Sequence, residues 1–157
     1  MRRLILALAL LAPLVGVAGM DEGQAAYNRG DYPAAIAELE PLAEQGNARA
    51  QYFIGTLYHY GYGMPRDPSK AAEWFQRAAV QGHTQSQYLL GLAYQKGEGV
   101  ARDAVAAHMW LSVFAATTDS YRDSLYAKKA VRELEKNMKE EDVARAKQMA
   151  AERATQN

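Results

Sequence analysis

Gly46-Asn-Ala-Arg-Ala-Gln-Tyr-Phe-Ile-Gly55, followed by Tyr58, Gly61-Tyr-Gly63, Arg66-Asp67, Trp74 and Ala79, returns 36 residues further along the chain. The second copy carries Gly82, Gln87-Tyr88, Leu90-Gly91, Tyr94, Gly97-Glu-Gly99, Arg102-Asp103, Trp110 and Ala115. A fixed period in the thirties means that one supersecondary unit is stacked on another, because a single unit cannot bury its apolar face alone. The recurring residues therefore belong to the scaffold, and only those that differ between copies can carry specificity.

Helix signals fall at matching places in each copy. Asp67-Pro68 sets a cap acceptor before a first-turn proline, Asp103 repeats the cap, and Gly46 and Gly82 follow helices. Ala71, Trp74, Phe75 and Ala78 lie at i, i+3, i+4 and i+7, the spacing of one helix face. Each unit thus reads as a helical hairpin, with Gly61 and Gly63, then Gly97 and Gly99, at its turn. Gly55 and Gly91 fall inside helices, which predicts close packing of the partner helix there. Trp74 and Trp110, at equivalent positions, are expected in the core.

Residues 21–46 read as a shorter unit with a turn at Gly30-Asp31-Tyr32 and Ala35, Ile36, Leu39 and Leu42 facing inward. Beyond Thr118, Asp119 or Ser120 can cap a helix carrying Ala127, Val131, Leu134 and Met138. Asn137 with Glu140 resembles a capping box for a last helix through Val143, Ala146 and Ala150. The expected organisation is a signal peptide over 1–19 and one domain over 20–157, with units at about 21–46, 47–82 and 83–118 and a closing hairpin at 119–154.

The signal assignment rests on Met1-Arg2-Arg3 and the apolar run from Leu4 to Gly19, which ends in small residues suited to cleavage before Met20. As a helix that run would be about 24 Å long, short of a roughly 30 Å hydrocarbon core. Cleavage therefore predicts an exported chain, periplasmic or secreted, with no stable membrane insertion. Apolar residues make up 49% and charged residues 23% of the chain, a composition that folds. The net charge is zero, and loss of Arg2 and Arg3 leaves 16 of the 18 basic residues against 18 acidic ones, which disfavours a nucleic-acid partner. The chain has no cysteine, hence neither a disulfide framework nor a lipid-modified cleavage site.

Ala50-Gln-Tyr-Phe-Ile-Gly55, Tyr58, Gly61-Tyr-Gly63, Asp67, Ala71, Trp74-Phe75 and Ala78-Ala79-Val-Gln-Gly82 together resemble the Sel-one-like repeat (SLR), a relative of the tetratricopeptide repeat with a longer inter-helix loop. The second copy departs mildly, with Ser86 in place of Ala50 and Phe114 in place of Ala78, which predicts altered packing against the closing hairpin. The resemblance implies an all-α, right-handed α-solenoid of about four stacked antiparallel helical hairpins. It also implies an adaptor that binds a protein or peptide partner, a monomer on its own and not an enzyme. An envelope enzyme or a cell-wall or penicillin-binding factor of the same fold is the alternative.

Nothing in the residue pattern supports catalysis, a metal or a cofactor. His59, His83 and His108 occupy non-equivalent positions without ligand spacing and read as surface or half-buried polar residues. Gly61-Tyr-Gly63 lacks the third glycine and preceding strand of a phosphate loop. Glu140-Glu141-Asp142 suits the positive end of a helix dipole. The Ser-x-x-Lys motif of penicillin binders is missing. Analogy with the tetratricopeptide first helix places the partner-binding groove on Gln24, Tyr27 and Asn28, then Arg49, Tyr52, Thr56, His59 and Tyr60, then Gln85, Tyr88, Leu92, Gln95 and Lys96. Tyrosine combines contact area, a polar tip and low rotamer entropy, so such a face suits an extended peptide or a helix.

Overall fold

A computed structural model describes residues 12–155 of the protein as eight helices in chain order, with no strand among them. They are α1 (Ala12–Arg29), α2 (Tyr32–Glu44), α3 (Ala48–Tyr60), α4 (Pro68–Ala79), α5 (Thr84–Lys96), α6 (Ala104–Thr117), α7 (Tyr121–Glu135) and α8 (Glu140–Ala154). Residues 1–11, with the basic start and half of the apolar run expected to be a signal, lie outside the described residues. α1 continues without a break through Gly19 and Met20, and the Met20 side chain is buried in the first core cluster.

The local signals act where the sequence puts them. The Asp67 carboxylate accepts from the backbone N–H groups of Ser69 at 3.1 Å and Lys70 at 3.0 Å, and Asp103 does the same for Val105 and Ala106 at 2.9 and 3.0 Å. Each bond satisfies a donor that the first helical turn leaves unpaired. Asn47 and Ser120 cap α3 and α7 in the same way. Gly61 and Gly97 end α3 and α5 in the left-handed region, at φ 72° and 73°, where a side chain would be strained. One expected cap is corrected: α8 starts after Lys139 with no side-chain bond, and Asn137 instead donates its N–H to Leu134 at the end of α7. Glu140, Glu141 and Asp142 in the first turn supply the negative charge that end favours.

Within each hairpin the helices cross at a glycine. A β-carbon on Gly55 would lie 2.7 Å from the Phe75 ring, and one on Gly91 2.8 Å from Leu111 Cγ, so α3 packs onto α4 and α5 onto α6 at backbone distance. Between hairpins the second loop glycine makes the approach: a β-carbon on Gly99 would sit 2.0 Å from the Pro68 carbonyl oxygen at the start of α4.

Consecutive hairpins are joined by a buried amide. Gln51, 4% exposed, donates to the Ala43 carbonyl in the last turn of α2 at 3.0 Å and accepts from Gln81 at 2.8 Å. Gln87, fully buried, repeats this with the Ala79 carbonyl at 3.4 Å and the Thr117 hydroxyl at 3.0 Å. Ser124 takes the third turn of the pattern, its hydroxyl donating to the Ala115 carbonyl at 2.7 Å.

That bond fixes the register of α7, one residue out of step with the earlier period, and places Lys128 where Gly55 and Gly91 cross their partners. With a lysine at the crossing, α7 and α8 do not close on each other. Both pack on α6. The expected closing hairpin is thus an open pair, held by Glu135, whose carboxylate lies 3.0 Å from His108 Nε2 on α6 and 2.9 Å from Lys147 Nζ on α8. His108 is itself 1% exposed, which corrects its reading as a surface or half-buried residue. Its Nδ1 faces the Ser112 hydroxyl at 3.3 Å, so both ring nitrogens have partners.

The two tryptophans differ, another correction. Trp110 is 4% exposed, clustered with Ala150 of α8 and covered by the Arg153 guanidinium 5.4 Å from its ring centroid. Trp74 is only half-buried, covered by Arg77 of its own helix at 4.5 Å. Trp110→Ala should therefore cost about 3–5 kcal/mol, as for a buried aromatic side chain, and Trp74→Ala clearly less. Urea midpoints of the two variants check this, and equal losses would contradict it.

Candidate functional site

The face built by α3, α5 and α7 carries a chain of aromatic rings. At its start, Tyr27 on α1 meets Phe53 edge-on at 5.0 Å and Tyr32 at 5.9 Å, and Tyr32 stacks on Tyr62 at 4.7 Å and 12°. Tyr62 stacks in turn on Tyr60 at 5.3 Å, and the His59 ring stands edge-on to Tyr60 at 4.7 Å. Tyr52 packs edge-on against Phe53 at 5.3 Å and stacks on His83 at 4.8 Å.

Two cavities open along this face and share Leu89 as a wall. The larger, of 530 Å³, lies among Tyr52, Gln85, Tyr88, Leu89, Phe114, Thr118, Asp123 and Tyr126. The smaller, of 170 Å³, is bounded by His59, Tyr60, Leu92 and Lys96 together with the α4 residues beneath them.

Of the residues placed on the groove from sequence, Tyr52, Gln85 and Tyr88 line the larger cavity and His59, Tyr60, Leu92 and Lys96 the smaller. Gln24 and Arg49 are bonded to each other at the rim, and Asn28 is exposed beside them. Tyr27 and Gln95 are half-buried and line neither cavity. Thr56 is a correction: it is 5% exposed and its hydroxyl donates to the Tyr52 carbonyl at 2.8 Å, a packing role inside α3. Leu89, Phe114, Thr118, Asp123 and Tyr126 were missed, because the analogy covered selected positions of three first helices alone and the one-residue slip hides the register of α7.

His83 shows how local capping shapes the site. Its Nδ1 accepts the Ser86 N–H at 3.3 Å, which caps α5 and holds the ring against Tyr52. Burial, and then the charge of Arg49, push its pKa below the ordinary histidine value. Among the described residues no cluster of His, Asp or Glu is arranged to hold a metal ion, and no helix is long and apolar enough to cross a membrane.

Residues 48–83 and 84–116 each match the Sel1 repeat. The crystal structure of a Sel1 repeat protein from Oxalobacter formigenes is 33% identical, superposes with a TM-score of 0.61, and shares 79% of this chain and 99% of its own. The chain belongs to the Sel1 repeat family. A protective antigen present in uropathogenic Escherichia coli strains, described as displaying an SLR fold, superposes over 90% of this chain and 30% of its own with a TM-score of 0.79; at 24% identity it speaks to the α-solenoid fold alone. The ERAD-associated E3 ubiquitin-protein ligase component HRD3A of Arabidopsis thaliana is 40% identical over 63 residues, 38% of this chain. The DAP3-binding cell death enhancer 1 of Rattus norvegicus is 46% identical over 42 residues, 27% of this chain. The chain spans 9% and 8% of the lengths of these two relatives. Sel1 repeat proteins are in general protein-binding scaffolds rather than catalysts.

Burial, and then the hydroxyls of Tyr52, Tyr32, Tyr62 and Tyr60, push the Tyr27 pKa in this Sel1 repeat protein from 10.0 up to about 12. The neutral phenol is thus favoured in the folded state. Its contribution to stability is fully present below pH 10 and is lost as pH rises towards 12. Relative to their values at neutral pH, the wild type should lose more stability than Tyr27→Phe across that window. Parallel urea-midpoint curves would contradict the assignment.

Proposed function

We propose that this Sel1 repeat protein is an exported interaction module that holds a peptide or helix of a partner protein along the face of α3, α5 and α7. The observation that carries the reading is the 530 Å³ cavity, to which three successive first helices contribute tyrosine side chains. Ring faces and phenolic tips together offer apolar area and directional bonding with few rotamers to freeze, a combination suited to gripping a polypeptide segment. Tyr60 and Tyr62, 55% and 37% exposed, extend that surface as a stacked pair towards α2. Export is supported by the basic start, the short apolar run and the small residues that end it.

Tyr60 is an anchor candidate that the fold does not require. Tyr60→Ala should weaken partner binding by roughly 1–2 kcal/mol and leave the melting temperature almost unchanged. The test is calorimetric titration of a partner recovered from the envelope fraction, with melting curves for both proteins. An unfolded variant, or one of unaltered affinity, would remove Tyr60 from the binding surface. The mass of the recovered protein reports on processing: a product starting near Met20 supports export, and an intact Met1 opposes it.

A further inference from the structure

Three aromatic rings away from the groove carry cations of the chain itself. Lys70 sits over Tyr58 at 5.2 Å, Arg77 over Trp74 at 4.5 Å and Arg153 over Trp110 at 5.4 Å. Among the described residues, no cation is placed in this way over Tyr52, Tyr88, Phe114 or Tyr126, the four rings of the larger cavity. Tyr88 and Phe114 meet at 4.9 Å with their planes 39° apart, and so form two walls of a corner rather than a flat stack.

The charge of the cavity points the same way. Asp123 is its one ionised lining group, beside the amide of Gln85 and the hydroxyl of Thr118. Arg122 reaches Asp123 only at 3.9 Å from a side chain that is 81% exposed, a contact that water and salt readily replace. His83, stacked behind Tyr52, has Nδ1 occupied by the Ser86 N–H, and its burial disfavours the imidazolium, so it adds no positive charge. The negative faces of several rings with a carboxylate at the edge form a setting that attracts a cation and also accepts its aliphatic stem.

Building on the groove reading, we propose that the 530 Å³ cavity is a cation subsite that takes one lysine or arginine side chain of a bound partner segment. The stem of that side chain lies along Tyr88, Phe114 and Tyr126, and its charge is placed near Asp123. The partner segment is therefore basic at this position, and the apolar surface around Tyr60 engages its flanking residues.

The experiment selects binders to the full chain from a random peptide library. Affinities are then measured for an enriched peptide and for a counterpart with norleucine in place of its common basic residue, against wild type, Asp123→Asn and Tyr126→Leu. Melting curves establish that each variant is folded. The expected result is enrichment of peptides sharing a lysine or arginine, a roughly tenfold loss on norleucine substitution with wild type, and a much smaller loss with Asp123→Asn. Tyr126→Leu should weaken the basic peptide as well, and it decides the matter alone if Asp123→Asn does not fold. Enriched peptides without a common basic residue, or a norleucine peptide that binds as well as its parent, would overturn the cation subsite and leave the groove reading standing. A library that yields no binder would overturn both.

Discussion

Two buried amides set the geometry on which the groove depends. Gln51 and Gln87 are polar side chains inside an apolar interface, and neither can remain there unpaired without losing about 1–3 kcal/mol. Each donates to a carbonyl in the last turn of the preceding hairpin, that of Ala43 or Ala79, and accepts from Gln81 or the Thr117 hydroxyl at the end of its own hairpin. These carbonyls lie in the last helical turn, where each also accepts the N–H of Gly46 or Gly82. Sliding or rotating one hairpin against the next would break the Gln51 or Gln87 bond to the preceding hairpin in a dry site, so the stacking angle is specified rather than merely permitted. The first helices, and with them Tyr52 and Tyr88, are thereby held at a set spacing.

The departure from this pattern at the C-terminus has a physical cause and a consequence. Lys128 occupies the place of the crossing glycines, so α8 leaves α7 and settles on α6, where Ala150 and Arg153 cover Trp110. Glu135 then joins the three helices through His108 and Lys147. Its carboxyl is held below the usual carboxylate range, first by the His108 bond and then by the one from Lys147. With the pair opened, α7 brings Asp123 and Tyr126 to the rim of the large cavity, while Leu125 and Tyr121 remain at the surface. An irregular last unit thus supplies the acid and one of the four rings of this cavity.

Features that depend on a few neighbouring residues, or that recur, were legible in the sequence. The Asp67 and Asp103 caps, the left-handed Gly61 and Gly97, and the close crossings at Gly55 and Gly91 follow from residue type and spacing. What escaped depends on neighbours far along the chain. Trp74 and Trp110 share a register, yet only Trp110 receives a covering helix. His108 stands at the place of Ala72, a buried alanine in the preceding unit, and that equivalence was the available signal that it lies in the core. Thr56 was assigned to the groove by analogy, although a hydroxyl four residues after Tyr52 can bond back to its carbonyl and turn inward. Asp123 and Tyr126 went unread because a single extra residue before Ser120 shifts α7 out of the 36-residue period, and Phe114 and Thr118 because the analogy covered first helices alone.

The central claim is that the face of α3, α5 and α7 receives the partner. Nuclear magnetic resonance shift mapping on the labelled protein, titrated with a peptide selected for binding, tests it most directly. The account predicts that the largest shifts fall on Tyr52, Gln85, Tyr88, Thr118, Asp123 and Tyr126, with weaker ones around Tyr60. Shifts concentrated instead on the opposite side, around Trp74, Arg77 and the outer turns of α8, would contradict it.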